Sequence, residues 1–562
     1  MKLWILPTAT VSPLKPLLEE QLRQRGIVAE VQVAAFGEME QQVLDPHSPY
    51  RTSRPDVTIL LPDAHDLLTQ VFASPFTCDR GQREAAIDHA VARVSAVAAA
   101  TATVSAHVLL ANGASPTRSA LGLLEAEPGL SLRMLTEQYN RRICAAVRGH
   151  GNVNVLDYAG LVAEVGYARF HDDRLWTMAR MRVSGAGLSQ LAIFLARATA
   201  ALFRRPRKCI VLDLDNTLWG GILGEDGVDG IHVGEDGVGL AFARFQRELL
   251  ALRARGILLA IASKNDESQA LDVLRRHPGM VLRPEHFSAH RIGWQPKVES
   301  LIAIAEELGF DTRALVFVDD SAHETEAVRQ QLPDVAVIRL PEDPADYVAT
   351  LWACEELDTL RVTDEDRNRN EMVAVERQRA QLRAETPDLA TFLRSLNQEA
   401  ILEALGEANV ARAAQLCQRT NQFNLTLRRH DIAALHRYLA DRHVGILLRA
   451  RDRLGDSGIV GFALAVPRDN ATWELDTFVM SCRVIGRGLE TVLMAEVVRA
   501  VKEKACSELL ANYVPGPRNN VCSGLLSQHG FEPRESEHSY RFPTAARQLS
   551  PHDFIRIQWS SS

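Results

Sequence analysis

Short apolar runs alternate with longer amphipathic stretches through the first two-thirds of the chain. Residues 2–6, 29–33, 55–61, 105–111 and 153–156 read as strands, and 14–26, 79–100 and 130–148 as helices. Strand and helix in strict alternation predict a layered α/β domain on a parallel sheet. An amphipathic helix over 183–205 leads to a second such set, with apolar strands at 209–212, 257–262 and 315–318. From residue 444 the period changes. Runs at 445–448, 459–465 and 472–480, with turns between them, predict an antiparallel meander, and a helix over 489–504 follows. The expected domains are 1–205, 206–362 and 363–562. The last of these opens on a charge-rich linker, 363–383, read as a solvated helix face. A helix over 410–419 precedes Thr420-Asn-Gln-Phe-Asn-Leu-Thr426, whose polar density suggests a hydrogen-bonded domain joint or a polar ligand surface.

Composition narrows the class. A length of 562 residues sets a prior of about three or four domains. With 46% hydrophobic and 24% charged residues, the chain has ample core for a soluble protein. A net charge of -8 and a pI near 6.1 argue against a nucleic-acid or anionic-membrane surface. Eight scattered cysteines without a CxxC pair predict reduced thiols. The first apolar run is too short for a signal peptide, and no stretch approaches the ~18 apolar residues of a membrane span. The expectation is a cytoplasmic protein.

The candidate chemistry begins at Lys208-Cys-Ile-Val-Leu-Asp-Leu-Asp-Asn-Thr-Leu-Trp-Gly-Gly221, where an apolar strand stops at Asp213 and Asp215. A buried parallel strand ending in two carboxylates places them at the carboxyl edge of a sheet, where open α/β folds bind ligands. Carboxylates that close repel and need a cation or a shared proton. Mg²⁺, a hard ion served by oxygen donors, answers that need. Downstream, the second strand ends in Ser263-Lys264-Asn265, Pro296-Lys297 opens a helix, and the third strand ends in Asp319-Asp320-Ser321.

These four motifs, in this order, resemble the haloacid-dehalogenase (HAD) phosphatase superfamily. The resemblance implies Asp213 as the nucleophile on phosphorus and Asp215 as the acid and base for the leaving oxygen and water. Ser263 and Lys297 would hold phosphoryl oxygens. Asp213, the backbone carbonyl of Asp215, and Asp319 would bind Mg²⁺, with Asp320 as an additional or outer ligand. The short 220–239 stretch replaces a large cap and implies an open site suited to a bulky or tethered substrate. Glu225, Asp226 and Asp236 read better as a solvated turn than as substrate contacts, and Trp219 and Trp294 as packing residues.

The N-terminal region resembles an SGNH hydrolase without its Gly-Asp-Ser turn. A Thr8/His171 pair is conceivable there, but a non-catalytic domain is the better reading. The C-terminal part resembles the GNAT acyltransferase fold. Its Arg483-Val-Ile-Gly486-Arg487-Gly488 loop implies a grip on a pantetheine phosphate by backbone amides at a helix start, with Arg483 and Arg487 as phosphate partners.

Together these motifs resemble FkbH-like proteins with a HAD-IIIC core. The resemblance covers nearly the whole chain and implies an SGNH-like α/β domain, a capless HAD parallel sheet and a GNAT-like α+β domain. It implies transfer of a glyceryl group from 1,3-bisphosphoglycerate, loss of phosphate, and loading on the phosphopantetheine arm of an acyl carrier protein (or on CoA) for polyketide or related biosynthesis. A thiol on the enzyme could carry the acyl group. Cys482, just before Arg483 at the end of the strand beside which a GNAT fold lays its pantetheine, is the preferred candidate. Cys209 reads as a small core residue. The competing functions are a phosphatase of a sugar or small-molecule phosphate, and an acyltransferase, on a carrier protein or an amine, that uses another acyl group.

Overall fold

The structure, a computed structural model, describes residues 1–439 and 443–560, without the side chains of residues 364, 365, 419, 433 and 482. The chain forms two compact units, Met1–Arg367 and Asn368–Ser562.

The first unit holds two five-stranded parallel sheets. One comprises β1 (Lys2–Pro7), β2 (Glu30–Val33), β3 (Val57–Leu61), β4 (His107–Ala111) and β5 (Val153–Leu156), in the order β2-β1-β3-β4-β5. Side chains that alternate along each strand supply two cores. Leu3, Ile5, Val57 and Ile59 face one way, with Leu14, Leu18 and Leu22. Leu6, Leu60, Val108 and Leu110 face the other, with Ile87, Val94 and Tyr139.

The helix Gly185–Phe203 corrects one expectation, because by length and composition it is apolar enough to cross a membrane. Its stripe of Leu188, Leu191, Ala192, Leu195 and Ala196 follows the helical period and is buried in the first of these cores. That burial explains its apolar composition within a folded domain.

The second sheet comprises β6 (Cys209–Leu212), β7 (Leu258–Ser263), β8 (Phe287–Ile292), β9 (Leu315–Asp319) and β10 (Ala336–Arg339), ordered β10-β9-β6-β7-β8. Strand β6 is central, with β9 and β7 paired to its two edges. The loops leaving three adjacent parallel strands therefore converge at one edge, and these are the loops that carry the candidate site. A short segment after this sheet is stitched to the N-terminal part by arginines. Arg25 grips Glu355, Arg197 grips Asp358, and Arg361 Nε donates to Asn154 Oδ1 at 2.7 Å.

The second unit is built on an eight-stranded mixed sheet. Its strands are β11 (Gln398–Ala404), β12 (Val444–Asp452), β13 (Gly455–Pro467), β14 (Thr472–Met480), β15 (Glu508–Asn512), β16 (Glu532–Pro533), β17 (Ser539–Pro543) and β18 (Ile555–Trp559), in the order β16-β17-β15-β14-β13-β12-β11-β18. The expected meander is β12-β13-β14, with the helix Leu489–Glu503 packed on it.

Strands β14 and β15 pair in parallel only from Thr472 to Leu475 and then part. The Thr420–Thr426 motif fills the gap. Leu425 N donates to Phe478 O (3.0 Å), Met480 N to Phe423 O (2.9 Å) and Val514 N to Leu425 O (2.9 Å). Asn519 Nδ2 adds a bond to Asn424 O at 2.9 Å. The motif is a joint, but one inside a single sheet. It also corrects the expectation of a strand edge open to pantetheine, since the chain itself occupies the edge of β14 beyond Leu475.

The charged linker is likewise more than a solvated face. The helix Arg369–Glu385 buries Arg379 against Asp452, with Nε to Oδ2 at 2.8 Å.

Candidate active site

At the end of β6 the chain turns sharply. Asn216 takes a left-handed conformation (φ 51°), which asparagine tolerates better than most residues. Its Oδ1 accepts the Gly221 N–H at 2.9 Å, and its carbonyl accepts the Tyr347 hydroxyl at 2.7 Å. This locked turn presents Asp213 and Asp215 from one loop.

Lys297, only 3% exposed, reaches into the same place from the start of the helix Lys297–Glu307. Its Nζ donates to Asp213 Oδ1 (2.5 Å) and Ala262 O (2.6 Å), and pairs with Asp319 Oδ2 at 3.2 Å. Burial opposes its charge, but Asp213 and Asp319 more than offset that and hold the ammonium above its usual range. Asp319 is fully buried, and its Oδ1 accepts the Ser321 N–H at 2.8 Å. Burial, then the charge of Asp213, pushes its carboxyl up to about 7, and the same two causes raise Asp320. Carboxylate oxygens of Asp213, Asp319 and Asp320 lie within 4.8 Å of one another. Ser263 is buried, and its Oγ makes no hydrogen bond within the protein.

Asp215 is held by three donors. Trp219 Nε1 (2.9 Å) and Leu223 N (3.1 Å) bond Oδ1, and Asn265 Nδ2 (2.9 Å) bonds Oδ2. Burial nonetheless raises its carboxyl above the ordinary range. The structure thus brings Asp213, Asp215, Ser263, Lys297, Asp319 and Asp320 together. This arrangement combines clustered carboxylates, one of them held by three donors, with a buried cation and an unsatisfied hydroxyl, a set of groups able to bind and polarise a phosphoryl group.

Sequence reasoning missed Asn265 and the indole N–H of Trp219. Asn265 directly follows the Ser263-Lys264 pair, and that adjacency was the available signal. Trp219 is fully buried, whereas Trp294, expected to pack, is 78% exposed. Asp226 closes its own turn by accepting the Ile222 N–H at 2.8 Å. Glu225 and Asp236 are exposed.

In the N-terminal part, Thr8 and His171 are engaged with different partners. Thr8 Oγ1 accepts the Asp63 N–H at 2.8 Å, and His171 Nε2 lies 3.4 Å from the Tyr158 hydroxyl. Cys209 is buried, and burial pushes its thiol far up, as suits a core residue.

In the second unit, Gly486 (φ 74°) and Gly488 (φ 81°) both take left-handed backbone, and a Cβ on Gly488 would meet the His552 ring at 2.7 Å. The expectation for the Arg487 side chain is corrected. Its guanidinium turns inward, with Nη2 2.6 Å from Asp452 Oδ2 and Nε 3.0 Å from Gln398 Oε1. It is therefore engaged within the fold and not offered to a phosphate. Arg483 Nη1 lies 3.2 Å from Met372 Sδ. Cys482 begins the one-turn helix Cys482–Val484, and its side chain lies outside the described residues.

Residues 10–195 match the family "FkbH, N-terminal domain". The N-terminal part of protein BF1531 from Bacteroides fragilis, containing a phosphatase domain and complexed with Mg, is 27% identical. The match covers 64% of this chain and 94% of that one, with a TM-score of 0.57. A GNAT-family protein from Desulfovibrio desulfuricans is similar at 16% identity, over 26% of this chain and 99% of that one (TM-score 0.22). A ribosomal-protein-alanine N-acetyltransferase from Brucella melitensis is similar at 18% identity, over 25% and 98% (TM-score 0.20). No curated protein matches the sequence. The chain thus carries an FkbH N-terminal domain at residues 10–195 and is similar, over about two thirds of its length, to the Bacteroides protein that contains a phosphatase domain.

Proposed function

We propose that the protein removes phosphate from a small phosphorylated acyl group and loads that group, as a thioester, on an acyl carrier protein. The acyl donor would be 1,3-bisphosphoglycerate and the loaded group glyceryl. The observation that carries the reading is the convergence of Asp213, Asp215, Ser263 and Lys297 in a chain that continues into a GNAT-like unit.

In the phosphatase step an Asp213 oxygen attacks phosphorus and the bond to the substrate oxygen breaks. Asp215 gives its proton to that leaving oxygen, then takes one from the water that cleaves the aspartyl-phosphate. The raised Asp215 carboxyl suits the acid role, and its three donors fix its aim. Lys297 and the unsatisfied Ser263 hydroxyl would hold the phosphoryl oxygens. The Asp213, Asp319 and Asp320 carboxylates, with the Asp215 carbonyl, fit Mg²⁺, the ion complexed in the Bacteroides relative. Such an ion, when bound, supplies neutralisation of phosphoryl charge.

In the acyl step the Cys482 thiolate would attack the acyl-phosphate carbon and expel phosphate. The carrier thiol would then displace Cys482 by thioester exchange. Since the chain fills the β14 edge, a pantetheine arm would approach the 482–488 loop without pairing to that edge. The same filled edge favours a second reading, a small-molecule phosphatase whose second unit takes no pantetheine.

Intact-mass measurement separates the two. The full chain is incubated with Mg²⁺, 1,3-bisphosphoglycerate and a phosphopantetheinylated carrier protein. A glyceryl adduct on the carrier that is lost, or retains its phosphate, in Asp213→Asn supports loading. An enzyme adduct absent from Cys482→Ala assigns the thiol. Free phosphate with no adduct on either protein selects the second reading.

A further inference from the structure

In the first sheet β1 and β3 lie side by side, and the chain leaves them towards opposite edges, to β2 and to β4. Open α/β sheets bind ligands in the crevice outside the carboxyl ends of such a pair. A pocket of about 40 Å³ lies there, walled by Ala9, Val11, Leu61, Val183 and Leu191. Among the described residues, its polar side chains are Asp63, Tyr158 and Arg182. A single water needs about 10–15 Å³ of such space, so the pocket has room for a chain of about three carbons.

Arg182 is only 9% exposed. It is held in place by its carbonyl, which accepts the Asp172 N–H at 2.9 Å, and by the Trp176 ring, whose centre lies 4.1 Å from the guanidinium carbon. Arg182 Nε donates to Asp63 Oδ2, and Asp63 Oδ1 accepts the His65 N–H at 2.9 Å. Both oxygens of Asp63 are thus occupied. Neither terminal nitrogen of Arg182 has an acceptor among the described residues. Buried donors of a charged group are expensive to leave unfilled, so the site calls for an oxygen ligand.

Tyr158 supplies a second donor. Its hydroxyl lies 3.4 Å from His171 Nε2, while His171 Nδ1 is buried without a partner. Burial lowers this imidazole to about 4, so the ring is neutral at pH 7 and carries one proton. An orphaned buried N–H is rarer than a spare lone pair, which assigns the proton to Nε2. Nε2 then donates to the Tyr158 oxygen and leaves the Tyr158 O–H free to donate to a guest. No serine, threonine or cysteine lines the pocket among the described residues, so it is suited to hold a ligand and not to cleave one.

We propose that this pocket binds a short aliphatic carboxylate, with its oxygens on Arg182 and Tyr158 and its carbon tail among the apolar walls. The site is separate from the phosphatase centre and does not depend on its assignment. The charge of Asp63 beside Arg182 keeps the affinity modest.

Saturation-transfer NMR on the full chain at neutral pH measures binding of butyrate, butyramide and glycerate. Butyrate is expected to saturate with a Kd of about 1 mM. Butyramide, which lacks the charge, and glycerate, which brings hydroxyls against apolar walls, should bind about tenfold more weakly. Tyr158→Phe should weaken butyrate about fivefold, and Ala9→Leu, which fills the pocket, should abolish its signal. Arg182→Gln strands Asp63 without its cation and is expected to destabilise the unit, so the other two variants carry the test. No saturable butyrate signal, or one that survives Ala9→Leu, overturns the proposal, as does equal binding of butyramide.

Discussion

Lys297 Nζ lies 2.5 Å from Asp213 Oδ1 and 3.2 Å from Asp319 Oδ2, so one buried ammonium holds two carboxylates that would otherwise repel. Lys297→Met should lower phosphatase kcat about 10²- to 10³-fold, the scale for loss of one preorganised charge-stabilising group. It should also destabilise the metal-free protein by about 3 kcal/mol, because an uncompensated buried pair remains. Adding Asp213→Asn should return part of that stability and none of the activity. Urea unfolding of the single and double variants in chelator measures it, and additive losses would contradict the coupling.

Asp215 depends on Trp219 and Asn265 for its aim. Trp219→Phe and Asn265→Ala each remove one donor, worth about 1 kcal/mol or somewhat more for a charged acceptor. Each should cut kcat on an alkyl phosphate about tenfold. The loss should be smaller on para-nitrophenyl phosphate, whose leaving group needs little protonation. Equal losses on the two substrates would point to a general disturbance of the site.

Much of the fold is legible locally. The strands of the first sheet are short and mostly apolar, and β5 falls on the residues its pattern marks, Val153–Leu156. Six candidate residues of the phosphatase site are legible for a related reason, since each ends a buried strand or opens the helix beyond one. The rest depends on partners far along the chain. Nothing near Arg487 announces that Asp452, 35 residues away, and the helix carrying Arg379 will draw its guanidinium inward. The Thr420–Thr426 motif enters a gap whose walls, β14 and β15, lie some fifty to ninety residues further on, and neither helical nor strand periodicity records such a pairing. Trp294 was misjudged because a large aromatic is usually covered, and a loop residue at an open site need not be.

His171 gives the first unit a dependence on pH. It is buried against Tyr158 and Tyr167, with Asp63, His65 and Arg182 as its charged or titratable neighbours. Burial is the main cause that lowers its imidazole from 6.5 to about 4. Above pH 6.5 both folded and unfolded forms are neutral and stability is complete. Between 6.5 and 4 only the unfolded chain takes up the proton, so stability falls by about 3 kcal/mol. His171→Gln should flatten this decline. Unfolding free energies at pH 7.5 and 5.0 test it, and an unchanged slope in the variant would rule His171 out as its source.

Asp452 is the counterpart in the second unit. Burial alone would raise its carboxyl, but the hydrogen bond from Arg379 and the charges of Arg379 and Arg487 hold it below the ordinary range. A carboxylate depressed on folding lends stability above its unfolded value near 4, and that stability is lost as pH falls through the lower folded value. Asp452→Asn leaves the inward Arg487 guanidinium without its anion and Arg379 with Glu376 alone, and should cost about 3 kcal/mol. Replacing Asp452, Arg379 and Arg487 together by Leu, Met and Met removes both the charges and their desolvation, and should recover most of that loss. Because Arg487 stands between Gly486 and Gly488, the single variant should also loosen the loop that leads into the helix Leu489–Glu503. Hydrogen exchange at residues 484–490 reads this directly. Faster exchange there in Asp452→Asn, restored in the triple variant, would tie the loop to the buried pair. Unchanged exchange would mean that the glycines hold the loop unaided.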